Sequence, residues 1–525
     1  MAKSVTTAIF WFRNDLRLHD NVPLVASLTD QTSTHLLPIY IFDPRYIDLT
    51  RIIPSFTSPK TRHYSIPRTS YHRLKFLIES IDDLKSSLLK HNSSLIIRYG
   101  RPEDVIPALV RGLQGDGVKV SGVYCMKEVC SEERDIERRV AERVSVPLVS
   151  RHGGSMVAME DLPFGVQDLS DVYTVFRKRV ESLPQMVRPC IPLPHFKPLP
   201  PASPHLTSSP HPSKNLTSTL LPVIHPTPPP VPPHTSHPFV GGETSALSRL
   251  NNYLFETHAV STYKQTRNGL MGDAYSTKFS SFLAHGNISP RKIYEELKRY
   301  EAVYGECEGA YWVVFELLWR DYFRLISLKY TTVLFHPYSL RGTPPPNATT
   351  WSKSATSPHA VAFMEGRTGV PFVDAGVREM LQTGYTSNRT RQNLASFLTK
   401  DLFIDWRLGA EFFESWLVDY DCSSNYGNWS YAAGIGNDPR EERKFNVIKQ
   451  AWDYDKNGDY VRMWLPELEG VDKAVVHTPW KSVLPASVYP RPIVMAKEWD
   501  RHSGRGLEKR GGDERKKENK PRIKK

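Results

Sequence analysis

The chain has 525 residues, of which 40% are hydrophobic and 11% aromatic, with 11 Trp and 24 Tyr. Such a composition supports two or three packed domains and excludes a mostly disordered protein. A formal charge of +12 and a pI near 9.2 favour a polyanionic partner, most often nucleic acid, although Lys509–Lys525 alone carries nine Lys/Arg against three acids.

The first part alternates strand and helix patterns. Buried strands are predicted at Ala8–Phe12, Leu36–Phe42, Leu95–Arg98, Gly122–Cys125 and Pro147–Val149, with helices at Tyr71–Leu89 and Ser131–Arg143. This alternation predicts an α/β domain over about residues 6–150, a doubly wound parallel sheet covered on both faces. Small ligands bind such sheets at the carboxyl ends of the strands, where the loops Phe12–Asn21 and Asp43–Arg45 fall.

Residues 151–240 read as a connector, rich in Pro, Ser, Thr and His from about Pro189 and including Pro228-Pro229-Pro230. That composition predicts an extended surface linker. Residues 241–480 then read as all-α. Candidate helices are Thr244–Phe255, Pro290–Arg299, Tyr311–Lys329, Val373–Gln382, Arg391–Leu402 and Ala410–Trp416. From 481 to 525 the chain becomes a basic tail, with Gly504-Arg505-Gly506 and Arg510-Gly511-Gly512 and little to bury. Disorder is expected there, and Arg-Gly-Gly sequences occur in unspecific single-strand binders, so RNA contact through the tail is an open expectation.

The five cysteines are odd in number, and no spacing among them suggests a metal site; Cys125 and Cys130 are too far apart for a CxxC pair. Free thiols in a reducing compartment are expected. No run is long enough to span a bilayer, and the first strand begins so early that little room is left for a cleaved targeting peptide. The expected compartment is the cytoplasm or nucleus, with a mitochondrial one left open.

The stretch Tyr385–Arg440 crowds Trp406, Trp429, Asp419, Asp421 and Asn425 into an aromatic region. Buried polar groups of this density need a partner, and a large polar redox cofactor would satisfy them. Four segments carry a family likeness. They are FWFRNDLRLHDN (Phe10–Asn21), TRNGLMGDAYSTKFSSFLAHGNISPR (Thr266–Arg291), ELLWRDYF (Glu316–Phe323) and the 385–440 stretch. Over about residues 8–480 the chain resembles the photolyase/cryptochrome family. SNRTRQN, SNYGNWSYAAGIGNDPR and FVGGETSALSRLNNY make it most similar to the cryptochrome-DASH branch.

The resemblance implies an antenna domain followed by a helical domain that holds FAD. It also implies light-driven electron transfer from excited FADH⁻ to cyclobutane pyrimidine dimers, chiefly in single-stranded DNA, by a monomer. Tyr263 and Ser276-Thr277-Lys278-Phe279-Ser280 match the flavin phosphate segment, though a hydroxyl-rich loop before a helix is by itself ordinarily a cap. Asn388, Arg391, Asp419, Asp421 and Asn425 match the surroundings of the flavin ring. Asn425 would face N5 with an amide able to donate or accept. Trp351, Trp406 and Trp429 match the photoreduction chain, with Trp351 in the segment that departs most from the pattern.

Glu316, Trp319, Asn388, Gln392 and Tyr431 match the lesion pocket, and Arg267, Arg320, Arg389 and Gln450 match positions near DNA. A dimer must leave its stack to enter, and Trp319 offers an aromatic face for it. Asn388 and Gln392 stand where enzymes acting on (6-4) photoproducts carry His, and an amide cannot serve as an acid–base group. Tyr431 and Gln392 replace the Trp and Met of double-strand dimer enzymes, which predicts a weaker apolar grip and a preference for single strands. Glu128 matches the acidic contact to a methenyltetrahydrofolate antenna, although Gly153-Gly154 and the long Arg62–Tyr71 segment depart from the pattern. Two other functions share these residues: a blue-light photoreceptor, and a nucleic-acid-binding protein without photochemistry.

Overall fold

The computed structural model describes residues 5–207, 215–230, 232–344, 351–437, 444–482 and 484–502. The tail expected to be disordered over 481–525 is corrected in its first part, where Tyr489 and Trp499 are buried against the helical domain, and from Ser503 on it lies outside the described residues. Strands β1 (Thr6–Phe12), β2 (His35–Phe42), β3 (Ile96–Tyr99), β4 (Lys119–Met126) and β5 (Leu148–Arg151) form one sheet in the order β3-β2-β1-β4-β5. All four pairings are parallel, as the alternating pattern predicts.

Side chains alternate along β1. Ala8, Phe10 and Phe12 enter one core with helix α1 (Val22–Thr29) and helix α2 (Tyr71–Lys90). Ile9 and Trp11 enter the other with α3 (Pro102–Gly115) and α4 (Ser131–Arg143). A strand buried on both faces reads as a continuous apolar run, which is how Ala8–Phe12 stands in the sequence.

The strand order reverses at β1, and the loop leaving it welds the two domains. Leu16 N donates to His285 O at 3.2 Å, Arg17 Nη1 to Gly286 O at 3.0 Å, and Leu18 N to Glu243 Oε2 at 2.7 Å. Asp20, fully buried, pairs with Arg291 at 2.5 Å. Gly286 has φ 68°, and a Cβ there would lie 2.1 Å from Asn14 O, so this approach requires glycine.

The connector corrects the expectation of a plain surface linker. Leu216, Leu220, Leu221 and Ile224 are buried against the sheet's core, and Asp82 accepts from Leu216 N and Thr217 N at 2.8 Å. Prolines extend the chain, but the leucines between them have apolar area to bury, which stabilises by roughly 25 cal/mol per Å². Earlier in the connector, α5 (Tyr173–Glu181) packs on the helical domain.

That domain contains α6 (Glu243–Asn251), α7 (Pro290–Tyr304), α8 (Glu308–Tyr330), α9 (Pro371–Thr383), α10 (Asn388–Ser396), α11 (Trp406–Trp416), α12 (Cys422–Ala433) and α13 (Val447–Tyr454). Two stretches expected as single helices widen into π turns, at Asn252–Glu256 and Phe397–Asp401. The widening inserts an extra residue into one turn, which hydrophobic period alone does not reveal. Helix α11 starts four residues earlier than expected because Asp405 caps it, accepting from Arg407 N at 2.9 Å. Among the described residues, no helix is long and apolar enough to cross a membrane.

Candidate functional site

Arg249 is buried and gathers the segment before Ser280. Its Nη2 donates to Asp273 O at 2.9 Å and Ser276 O at 3.0 Å, and its Nε donates to Thr277 O at 3.1 Å. With three carbonyls fixed on one cation, the segment is a rigid loop. Lys278 within it adopts φ 60° and is 2% exposed. Its ammonium sits 3.5 Å over the Tyr275 ring and 4.6 Å over Tyr385. Burial pushes the Lys278 pKa well down, against the pull of the Glu379 carboxylate. An ammonium buried mainly among rings suits an anion brought in by a ligand. Tyr263 and Phe279, also assigned to this segment, are buried in the adjoining core, whereas Ser280 is exposed at the start of the short helix Ser280–Ala284.

Arg391 on α10 reaches Asp419 in the loop before α12, with Nη2 2.9 Å from Oδ2 and Nε donating to Thr386 O at 2.9 Å. Burial alone would raise the Asp419 pKa, yet the Arg391 charge and hydrogen bond hold it below the usual carboxylate range. Its second oxygen, Oδ1, is buried without a hydrogen-bond partner. An orphaned carboxylate oxygen of this kind fits a ligand that donates N–H or O–H groups, as the flavin ring and ribityl chain do.

Asn425 on α12 donates from Nδ2 to Ala410 O at 2.9 Å. That bond engages Nδ2 as a donor and leaves Oδ1 as an acceptor, which narrows the expected freedom to donate or accept. Asp421, also assigned beside the flavin, is engaged through one carboxylate oxygen. Its carboxylate caps α12, accepting from Ser424 N and Ser423 Oγ at 2.7 Å, and it lines the cleft between the domains. The free N–H groups at a helix start compete successfully for a carboxylate at the N-cap.

Trp429 on α12 and Trp406 on α11 are 2% and 0% exposed. A Cβ at Gly409 would lie 2.0 Å from Trp429 Cη2, so this indole rests on the α11 backbone one turn beyond Trp406. Trp406 Nε1 donates to Pro337 O at 2.9 Å. Ser352 N donates to Phe403 O at 2.8 Å and Asp405 N to Ser352 O at 3.0 Å, which lays half-buried Trp351 alongside the residues leading into Trp406. The three tryptophans come from three segments and converge on α11.

On another part of the helical domain, Glu316 pairs with Arg267 at 2.5 Å, and the Arg267 guanidinium covers Trp312 at 4.7 Å. Burial raises the Glu316 pKa in spite of Arg267. Trp319 stacks on Tyr173 with centroids 3.7 Å apart and meets Tyr431 edge-on at 5.9 Å. Arg389 donates to Gln392 Oε1 at 2.8 Å and Asn268 Oδ1 at 2.7 Å, and covers Tyr454 at 4.6 Å. Gln450 lies one turn before Tyr454 on α13, its Oε1 buried without a partner, and Asn388 at the start of α10 is exposed.

Arg320 does not join this group. It turns inward, donating to Gly154 O and to Leu283 O (3.3 Å), and lines the interdomain cleft with Asp421. The backbone carbonyls there need a donor, and an arginine long enough to reach them is held away from a DNA-facing surface. Sequence reading also missed Arg249, Tyr173 and Asn268; Arg249 and Asn268 lay inside segments quoted for the family likeness, and Tyr173 did not.

The interdomain cleft encloses a cavity of about 160 Å³ bordered by Asn14, Tyr46, Glu128 and Glu133. Asn14 Nδ2 donates to Glu128 Oε1 at 3.0 Å, while Tyr46 Oη and Glu133 Oε2 are buried without partners. Polar orphans around one void fit a ligand rich in hydrogen-bonding groups. Gly154 leaves room for Arg324, whose Nη2 would lie 2.9 Å from a Cβ there.

A parallel α/β sheet joined to a helical domain with a buried Lys, an Arg–Asp pair and an orphaned carboxylate oxygen defines a nucleotide-cofactor protein. Residues 8–201 match the family profile of DNA photolyase, and residues 312–508 match the FAD binding domain of DNA photolyase. A Cryptochrome DASH of Danio rerio is 46% identical over 94% of this chain and 92% of its own, and one of Xenopus laevis is 46% identical over 93% and 90%. The crystal structure of a Synechocystis cryptochrome superposes with a TM-score of 0.82 at 38% identity, covering 94% of this chain and 98% of that one. The chain belongs to the photolyase/cryptochrome family, in its cryptochrome-DASH branch, and its helical half is a photolyase-type FAD-binding domain.

Proposed function

We propose that the protein is a blue-light-driven lyase that splits cyclobutane pyrimidine dimers, chiefly in single-stranded DNA. The observation that carries this reading is the group of side chains around Trp319. A stacked indole, a half-buried Glu316 and an exposed Asn388 sit on the domain that also holds the Arg391–Asp419 pair.

FAD, when bound, supplies the light-excited electron that opens the ring and takes it back. The chain's own work is binding and orientation. Lys278 and the loop tied to Arg249 would hold the diphosphate, and Arg391 with Asp419 would hold the ring. Arg391 would offset negative charge on the reduced cofactor. Trp319 would stack the extruded dimer, contributing roughly 1–3 kcal/mol per base, and Glu316, whose pKa burial raises, can hydrogen-bond a pyrimidine edge. Gln392 is tied to Arg389, and Tyr431 meets Trp319 edge-on, so the pocket has a polar rim. Such a rim grips a dimer weakly, which favours strands where no base pair must be broken first. Glu128 and its cavity would take the methenyltetrahydrofolate antenna, which adds light capture. The proposed working form is a monomer, with Arg267, Arg389 and Gln450 beside the DNA.

The series of buried Trp429 and Trp406 with half-buried Trp351 favours a second reading, a blue-light photoreceptor that reports through flavin photoreduction. One assay separates the two. Dimer-containing oligothymidine, single- and double-stranded, is illuminated with the protein and the dimers are counted. Loss of dimers only in light, and faster on single strands, supports the lyase. Unchanged dimers alongside normal flavin photoreduction leave the photoreceptor.

A further inference from the structure

Cys130, Glu133 and Cys422 meet where the antenna domain touches the helical domain. Cys130 is the N-cap residue of α4, Glu133 lies within the first turn of that helix, and Cys422 opens α12. One ligand atom from each, two sulfurs and a carboxylate oxygen, lies within 4.8 Å of the others. Residues three apart at a helix start share a face, which brings Cys130 and Glu133 together; domain docking adds Cys422.

Two further observations point to a ligand. Glu133 Oε2 is buried and has no hydrogen-bond partner. The neighbouring cations are taken by other carboxylates: Arg13 by Glu137, and Arg68 by Glu132 (2.5 Å) and Glu414 (2.6 Å). Among the described residues no side-chain cation pairs with the Glu133 carboxylate. All three residues border the 160 Å³ cavity, which leaves space for a fourth ligand.

We propose that Cys130, Glu133 and Cys422 form a binding site for a divalent cation of the zinc type, three protein ligands with the fourth position open to the cavity. Two soft sulfurs and one oxygen at this spacing match tetrahedral Zn²⁺ and do not suit Mg²⁺ or Ca²⁺, which take oxygen ligands. On binding, the two thiols release their protons to solvent and no electron is transferred. The ion ties α4 to α12 and so joins the domains beside the antenna cavity.

The test uses the full-length, flavin-loaded protein kept reduced, loaded with Zn²⁺ alone and desalted, with metal counted by mass spectrometry and affinity set by chelator competition. A single Zn²⁺ per chain is expected, with affinity about tenfold or more weaker in Cys130→Ser and Cys422→Ser and a smaller loss in Glu133→Gln. In the unaltered protein Co²⁺ should give the intense visible bands of a tetrahedral thiolate site, a readout that does not depend on any variant folding. Absence of retained Zn²⁺, equal retention by the Cys130→Ser/Cys422→Ser double variant, or only the weak bands of six-coordinate Co²⁺ overturns the proposal.

Discussion

The Trp429 indole lies directly on Gly409, so close that a Cβ at 409 would come within 2.0 Å of its ring. Phe413, one turn further along α11, packs edge-on against the same indole at 4.9 Å. The glycine is thus what lets α11 and α12 approach with Trp429 between them, and it sets the indole's distance from the start of α11 where Trp406 stands.

Gly409→Ala should therefore displace Trp429 or part the two helices. Overpacking of this kind costs about 1–3 kcal/mol. Denaturant unfolding should report that loss, and flavin photoreduction should slow. A variant with wild-type stability and photoreduction would show that the contact has no consequence.

Trp406→Phe keeps the core filled but removes an oxidisable ring and the hydrogen bond to Pro337 O. Photoreduction under blue light should stop, whereas dimer splitting by chemically reduced protein should persist. Normal photoreduction in this variant would place the electron path elsewhere.

Asp419→Asn breaks the pair with Arg391 and leaves a guanidinium without its counter-charge. Removing one partner of a buried pair costs roughly 3–5 kcal/mol, toward the low end here because Arg391 retains some exposure. The purified variant should lose FAD on gel filtration and unfold earlier. Full retention of yellow colour would count against the assigned flavin contact.

Tyr173→Ala removes the ring beneath Trp319 without touching the Arg391–Asp419 pair. Stacked aromatic pairs contribute about 0.5–1.5 kcal/mol, so affinity for dimer-containing oligonucleotide should fall by roughly three- to tenfold. The flavin spectrum should be unchanged, and Tyr173→Phe should restore binding.

His237 is buried against Tyr385, with Nε2 2.8 Å from Ser281 Oγ, and burial pushes its pKa down from 6.5 to about 3. The unfolded chain therefore takes up a proton at a higher pH than the folded one. The stability from neutral His237 is complete above about 6.5 and is lost progressively as pH falls toward 3. Below about pH 6, wild type should lose stability relative to His237→Gln by up to about 1.4 kcal/mol per pH unit. Denaturant unfolding of both proteins across that range measures it, and a constant difference between them would refute the assignment.

The sequence by itself determined the architecture. The unbroken apolar run of β1, with Ala8, Phe10 and Phe12 on one face and Ile9 and Trp11 on the other, specifies a strand buried on both sides. Helical period located six of the helices named in the helical domain to within a few residues, α12 and α13 not among them, because this signal is local: each side chain's burial is encoded by its immediate neighbours. The family words likewise pointed to Lys278, Arg391, Asp419 and the three tryptophans. Tertiary structure alone decided which groups meet. It turned Arg320 into the interdomain cleft, seated Leu216 and Leu221 of the proline-rich connector in the core, and brought Cys130 beside Cys422. These contacts join segments far apart in the chain. Their partners are set by how two domains dock and by which buried polar atoms still need satisfying, and no local periodicity records either.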